Sequence, residues 1–355
     1  MTEIDKTKPV LVTGATGYVA GWLVKKLLEE GLTVHAAVRD PKNEKKSAHL
    51  RKLAEKADGN IKFFKSDLLV EGSYAEAMKG CELVFHTASP FTSDFDDPQK
   101  ELIDPAVNGT TNVLEEATRT DSVKRIVLTS SCAAIYTDAI ECKEAPNGKL
   151  TEEIWNTTAS LDYQPYSYSK TLAEKKAWEI NKAQNRWDLV TINPSLVMGP
   201  PLNPGATTSE SFSLLKQLGD GTMKMGVPNV GIGLVDVRDV ADAHFAAGFT
   251  PKASGRYITS AHNTNFLELG KSLQPRFGDS FPVPKKALPK WVAVLFGPMM
   301  DSSISRKFLR NNVNVEWKAD NSKIKNELGI HFRPLRETME DGFQVLVDEG
   351  ILKGK

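Results

Sequence analysis

Tyr166 and Lys170 are the two side chains whose types and spacing most directly suggest proton transfer. The run from Thr171 to Asn185 is rich in helix formers and lacks Gly and Pro, so Tyr166-Ser167-Tyr168-Ser169-Lys170 is expected to open a helix. One turn apart, the phenol and the ammonium then share a face. A free tyrosine titrates near ~10, and an ammonium beside it favours the phenolate, which brings the phenol toward acid-base use nearer neutrality. With seven tyrosines and many lysines a chance Tyr-x-x-x-Lys is ordinary, so its company decides the reading. Ser130 and Ser131 are the nearest company, delivered by the apolar run Arg125 to Thr129. A serine hydroxyl there can hydrogen-bond a carbonyl and the Tyr166 phenol together, or merely satisfy loop backbone.

The elements that must position these residues read as alternating strands and helices. Pro9 to Thr13 is a short apolar strand, followed by Gly14-Ala15-Thr16-Gly17-Tyr18-Val19-Ala20-Gly21 and a helical pattern of Val19, Leu23, Val24, Leu27 and Leu28 that Gly31 ends. Glycines in such a turn let backbone N–H groups approach a pyrophosphate at a helix N-terminus, which makes Gly14, Thr16, Gly17, Tyr18 and Val19 candidate cofactor contacts. Ala20 stands third in Gly-x-x-Gly-x-x-Ala, small enough for close helix-to-strand packing. A second strand, Thr33 to Val38, ends in Arg39, which suits the 2′-phosphate of NADPH; Asp40 next to it could instead serve NAD. Lys45 and Lys46 are either further phosphate ligands or solvated charges.

Ile61 to Lys65 is the third strand, with Ser66-Asp67-Leu68 placed to meet an adenine; Asp67 either accepts the adenine amino group or caps a helix. Glu82 to His86 is the fourth, and the small residues of Thr87-Ala88-Ser89-Pro90 would let a cofactor cross the sheet's carboxyl edge. A helix over roughly Gln99 to Arg119, the fifth strand and a sixth, Leu189 to Asn193, complete the series. Pro194-Ser195-Leu196-Val197-Met198-Gly199-Pro200-Pro201 is a stiff loop suited to wall a nicotinamide. The fold expected is α/β, a Rossmann-type doubly wound parallel sheet with a smaller, discontinuous C-terminal substrate lobe. Residues 1–195 with 250–262 would form the NADP-binding domain, and 196–249 with 263–355 the lobe. Within the lobe, Thr207 to Leu218, Thr264 to Arg276, Asp320 to Leu328 and Leu335 to Glu349 read as helices, and Val237 to Ala243 begins another. Arg256 to Ser260 reads as a strand and Pro282 to Pro298 as a proline-punctuated apolar stretch.

At 355 residues the chain can bury a full core, and its 45 basic and 45 acidic side chains cancel. The summed field therefore offers no general attraction to nucleic acid or an anionic membrane, and a small molecule is the expected partner. Met1 to Lys8 is polar and apolar runs such as Trp291 to Phe296 are too short to span a bilayer, so a cytoplasmic protein, monomer or homodimer, is expected. Cys81, Cys132 and Cys142 have no metal-ligand spacing, and the six histidines are scattered, so no metal is expected. Cys132 reads as a buried small hydrophobe, and the absence of Gly-x-Ser-x-Gly sets a serine hydrolase aside.

With the glycine turn, Arg39, the serine pair and Tyr166-x-x-x-Lys170 in this order, the chain resembles an extended short-chain dehydrogenase/reductase. More narrowly it is similar to the dihydroflavonol 4-reductase and cinnamoyl-CoA reductase group, which includes yeast and bacterial aldehyde and ketone reductases. Val38-Arg39-Asp40-Pro41, Val84-Phe85-His86-Thr87-Ala88-Ser89-Pro90, Thr129-Ser130-Ser131 and Ser169-Lys170-Thr171-Leu172-Ala173-Glu174 carry the likeness. The resemblance implies an NADPH-dependent carbonyl reductase with Ser131 as catalytic serine backed by Ser130, Tyr166 as the acid, and Lys170 on the nicotinamide ribose. It also implies Arg39 and Lys46 on the 2′-phosphate, Asp67 and Leu68 on the adenine, and Thr87, Ser89, Pro194, Val197 and Ser209 along the cofactor.

Plant flavonoid reductases carry asparagine at the position of Tyr136, and cinnamoyl-CoA reductases typically carry Asn-Trp-Tyr-Cys-Tyr where this chain has Asp162-Tyr163-Gln164-Pro165-Tyr166. The substrate expected is therefore a more general carbonyl: an aromatic or bulky aldehyde, a keto ester or a ketone. Phe91, Phe95, Tyr136, Tyr163, Met198, Leu202, Phe212 and Met225 are candidate lining residues. The competing functions are a nucleotide-sugar epimerase or dehydratase, which holds NAD permanently, and a non-catalytic NADPH-binding sensor.

Overall fold

The computed structural model describes residues 1–89, 96–207, 209–300 (without the Met300 side chain) and 304–354. In chain order the first half runs β1 (Val10–Thr13), α1 (Tyr18–Glu29), β2 (Thr33–Val38), α2 (Glu44–Ala54), β3 (Asn60–Lys65), α3 (Ala75–Met78), β4 (Leu83–His86), α4 (Asp104–Arg119), β5 (Arg125–Thr129), α5 (Pro165–Lys182) and β6 (Asp188–Pro194). The second half runs β7 (Leu196–Met198), α6 (Glu210–Gln217), β8 (Val227–Pro228), β9 (Gly231–Asp236), α7 (Val237–Phe249), β10 (Gly255–Thr259), β11 (His262–Asn265), α8 (Phe266–Phe277), β12 (Ala287–Leu288), α9 (Lys290–Met300), α10 (Arg306–Asn312), α11 (Ser322–Leu328) and α12 (Leu335–Asp348).

Seven parallel strands form one sheet in the order β10-β6-β5-β4-β1-β2-β3. All four residues of β1 and of β4 are buried, as expected of central strands covered by helices on both faces. α1 presents Ala20, Leu23, Val24, Leu27 and Leu28 to that core, each of the larger side chains contributing roughly 1.5–3 kcal/mol by leaving water. Strand order reverses between β1 and β4, so this doubly wound sheet has its crevice at the carboxyl ends of those two strands.

Three further strands, β11-β9-β7, and the pair β12-β8 lie outside the large sheet. Around them Met198, Leu215, Leu234, Leu269, Leu273, Met339 and Phe343 build a separate apolar core. α7, which the sequence reading gives to the substrate lobe, packs instead with the large sheet: Ala241, Ala243 and Ala247 are buried in the same cluster as β1 and α1.

Several element boundaries differ from the sequence reading for local reasons. Thr264 is not helical: His262–Asn265 pairs antiparallel with β9, and the Asn265 side chain then caps α8 by accepting the Glu268 N–H. α6 begins at Glu210, capped by Ser209, rather than at Thr207. Gln99–Ile103 forms a wider π turn before α4, and the proline-punctuated stretch supplies β12 and α9, with Pro298 inside that helix.

Candidate active site

The glycine turn between β1 and α1 needs its first glycine twice over. Gly14 has φ +63°, and a Cβ there would sit 3.0 Å from Ala88, at the end of β4. Gly17 is the N-cap of α1 with no side chain covering the helix's first N–H groups, so they and the helix dipole stay open to an anion. Ala20 is buried in the core beneath the turn. In front of it lies a cleft of about 680 Å³ lined by Gly14, Thr16, Gly17, Tyr18, Arg39, Lys46, Asp67, Leu68, Thr87, Ser89 and Ser209 among others. Val19, Pro194 and Val197 are not on its lining: Val19 is in the first turn of α1, Pro194 is buried opposite Thr259, and Val197 pairs with Val235.

The charges at the rim discriminate. Arg39 and Lys46 line the cleft, and among the described residues neither has an ion-pair partner. Lys45 is off the lining. Asp40 is exposed and its carboxylate accepts the Lys42 N–H at 2.9 Å, closing a local turn outside the lining. The Asp67 carboxylate makes the same kind of turn with the Leu69 N–H, so its competing role as a helix cap does not materialise, and Asp67 stays on the cleft wall. Ser66, also on that wall, carries a buried Oγ with no protein partner among the described residues, an orphaned polar atom that a ligand's hydrogen bond would satisfy. Open N–H groups, unpaired cations and an orphaned hydroxyl form a donor set that fits a phosphorylated dinucleotide.

Ser131, Tyr166 and Lys170, the candidate chemistry, are not themselves on that lining but meet it at Ser89. α5 starts at Pro165, whose missing N–H costs nothing in a first turn, so Tyr166 and Lys170 follow on one face. The Lys170 ammonium lies 5.8 Å from the Tyr166 ring centroid, and its Nζ donates to Ser89 Oγ at 2.9 Å, which ties the helix to the cleft lining. Ser131 follows β5, its Oγ accepting the Ala133 N–H at 3.1 Å and hydrogen-bonding the Tyr166 phenol. Burial raises the phenol above its ordinary value, and the Ser131 hydrogen bond opposes that rise. Contrary to the expectation that Lys170 favours the phenolate, Lys170 is not among the causes of this shift, and burial, which favours the neutral phenol, is the largest. Burial likewise brings the Lys170 ammonium down to about 8, with Glu174 opposing.

Ser130 does not face the phenol. Its hydroxyl is buried and donates to Glu174, one turn beyond Lys170 on α5. Glu174 also accepts from Asn193 at 2.8 Å, from Arg256 Nε at 2.6 Å, and from Thr191 and Trp178 at 3.3 Å. Asn193 extends the network to the Ser131 carbonyl at 3.2 Å, and Arg256 stacks on Trp155, 3.9 Å from its centroid. Strands β5, β6 and β10 are thus pinned to the helix that presents Tyr166 and Lys170. The sequence reading missed Arg256 and Asn193 as site-supporting residues; the available signal was Glu174, an acidic residue on the buried face of a helix, which demands partners.

Of the candidate lining residues, Met198 is buried in the core around β7 and β9, and Phe212 packs against it. Met225 is 68 % exposed. Leu202 is on the lining of the same cleft, beside Gly21. Tyr136 packs on Trp317, and the Tyr163 hydroxyl donates to the buried Asp138, which also holds Asn311 and Asn312 of α10. Pro90, Phe91 and Phe95 lie outside the described residues. Cys132 is a buried thiol, pushed well up by desolvation, as the sequence suggests.

Comparison with known proteins gives these features a context. The chain is 44 % identical over 289 residues to a cinnamoyl-CoA reductase of Medicago truncatula, covering 81 % of this chain and 86 % of that one. It is 38 % identical over 354 residues to a tetraketide alpha-pyrone reductase of Arabidopsis thaliana, covering 98 % of each. A crystal structure of yeast methylglyoxal/isovaleraldehyde reductase complexed with NADPH superposes with a TM-score of 0.73 at 27 % identity, over 96 % of this chain and 99 % of that one. The model of the NAD dependent epimerase/dehydratase family matches residues 10–258, and with these relatives it shows that the chain belongs to that family, the extended short-chain dehydrogenases/reductases.

Proposed function

We propose that the protein is an NADPH-dependent carbonyl reductase that converts an aldehyde or ketone to the alcohol, with Tyr166 as the general acid. The observation that carries this is the Ser131–Tyr166 hydrogen bond with Lys170 beside the phenol ring, joined through the Lys170–Ser89 hydrogen bond to a cleft whose lining also holds the unpaired Arg39 and Lys46. NADPH, when bound, supplies the hydride. Arg39 and Lys46 would hold its 2′-phosphate, and the N–H groups of the glycine turn its pyrophosphate. Ser131 Oγ orients the carbonyl oxygen and the Tyr166 phenol together. As negative charge develops on that oxygen, Tyr166 Oη delivers its proton to it, and the Lys170 ammonium steadies the phenolate left behind until solvent returns a proton.

The substrate class we infer is aromatic or bulky aldehydes, keto esters and related ketones. Relatives named as reductases of a cinnamoyl thioester and of methylglyoxal and isovaleraldehyde support carbonyl reduction of this breadth. Residues 196–236 and 263–355, apart from α11, would supply the substrate side of the cleft. The test is loss of NADPH absorbance with a panel of such carbonyls, NADH in parallel. Turnover with NADPH supports the reading; no turnover across the panel while NADPH still binds would favour a sensor, and NAD retained through purification an epimerase.

A further inference from the structure

The zero net charge of the chain conceals a local imbalance. Between Asp279 and Glu316 the sequence has one acidic residue, Asp301, against Lys285, Lys286, Lys290, Arg306, Lys307 and Arg310. This segment contains α9, whose Trp291, Leu295, Phe296 and Met299 are 68, 48, 45 and 79 % exposed. At about 100° per residue these four fall within an arc of about 140°, while Ala293 on the opposite side is buried against Leu309 and Val313 of the α10 region. Lys285 and Lys286 just before α9, and Arg306 and Arg310 of α10 packed beside it, are exposed, and among the described residues none is in an ion pair. Lys290 is anchored to the Arg310 carbonyl at 2.7 Å, which fixes the start of α9 to the end of α10.

We propose that this face of α9 docks on an anionic membrane surface, as a peripheral contact of one helix lying in the headgroup region. The stripe is a ridge from a single helix rather than a groove between elements, so it offers a peptide no cradle, whereas a lipid interface accepts Trp, Phe, Leu and Met side chains of any outline to a depth of ~5–10 Å. The exposed basic side chains next to α9 then meet lipid phosphates and carboxylates. A second copy is disfavoured by charge: two-fold pairing of this face would bring together the Lys285, Lys286, Arg306 and Arg310 charges of both copies. Nothing in the docking uses Ser131, Tyr166, Lys170 or the cofactor cleft, so the proposal stands apart from the assigned chemistry.

The experiment is flotation of the full chain with vesicles of phosphatidylcholine alone and of phosphatidylcholine with phosphatidylserine. The protein should float with the anionic vesicles, weakly or not at all with the neutral ones, and less as salt rises. Lys285→Gln with Lys286→Gln should lower the partition coefficient roughly 30-fold at low salt. Trp291→Ser with Met299→Ser should abolish flotation while leaving the thermal melt unchanged, since both side chains are in solvent. Absence of flotation with anionic vesicles, flotation indifferent to these substitutions, or a dimer that Trp291→Ser dissociates would each overturn the proposal.

Discussion

Glu174, behind the candidate proton-transfer residues, and Arg39, on the cleft lining, are charged residues held in opposite ways. Glu174 is 1 % exposed and surrounded by donors from Ser130, Asn193, Thr191, Trp178 and Arg256, so its charge is fully committed to geometry. Arg39 is exposed on the cleft rim and, among the described residues, has no ion-pair partner. The region that would move a proton is built as a rigid, internally satisfied network, because a buried carboxylate without donors would be expelled or neutralised. The rim that would read a phosphate is built from solvated cations, because recognition there requires a charge still available to the ligand.

Substitutions should separate the two regions, and the largest effect belongs to the acid itself. Tyr166→Phe should lower kcat on the order of 10³-fold while NADPH affinity, read by fluorescence titration, changes little; near-normal turnover would remove Tyr166 from the chemistry. Arg256→Ala should lower the free energy of urea unfolding by about 3–5 kcal/mol, since it removes the cation of a buried ion pair and leaves the Glu174 charge to its neutral donors. A loss comparable to an ordinary surface substitution would mean that the network is not the brace described here.

At the rim the expected effects are smaller and selective. Arg39→Asp should weaken NADPH binding roughly ten- to a hundredfold and leave NADH nearly untouched. Equal losses for both cofactors would sink the phosphate-reading role. Lys46→Ala should give the same selectivity at a few-fold level, as one flexible cation of two.

Lys170 belongs to both regions, since it touches Ser89 on the lining and sits over Tyr166. Burial holds its ammonium at about 8 against an ordinary 10.5. Between those values the unfolded chain keeps a proton that the native chain has shed, so this residue makes the fold more stable as pH rises through that window and penalises it below. If the charged form serves cofactor and phenol, kcat/KM for NADPH should fall about tenfold per pH unit above 8. A flat profile from pH 7 to 9.5 would show that the ammonium is not needed.

Much of the cofactor half was legible locally. Gly14 is required by a positive φ and a close strand, Arg39 by its place at the end of β2, and Tyr166 with Lys170 by helical spacing after Pro165. The supporting network was not legible in the same way, because Ser130, Glu174, Asn193 and Arg256 come from four elements that only the sheet order makes neighbours. The substrate side was least legible: Met198 and Leu202 are apolar in sequence, and whether such a residue fills a core or faces a ligand depends on what packs against it.

The amino-acid sequence alone determined the alternation of strands and helices, the turn that needs glycine, and the chemical types at the strand ends. These follow from dihedral preference, periodicity and side-chain chemistry within a few residues. The tertiary structure decided that Ser130 turns to Glu174 while Ser131 meets Tyr166, and that burial favours the neutral phenol over the phenolate. It also decided that Trp291, Leu295, Phe296 and Met299 of α9 form an exposed apolar stripe. Desolvation and through-space contact are properties of what surrounds a side chain, and no local pattern specifies its surroundings.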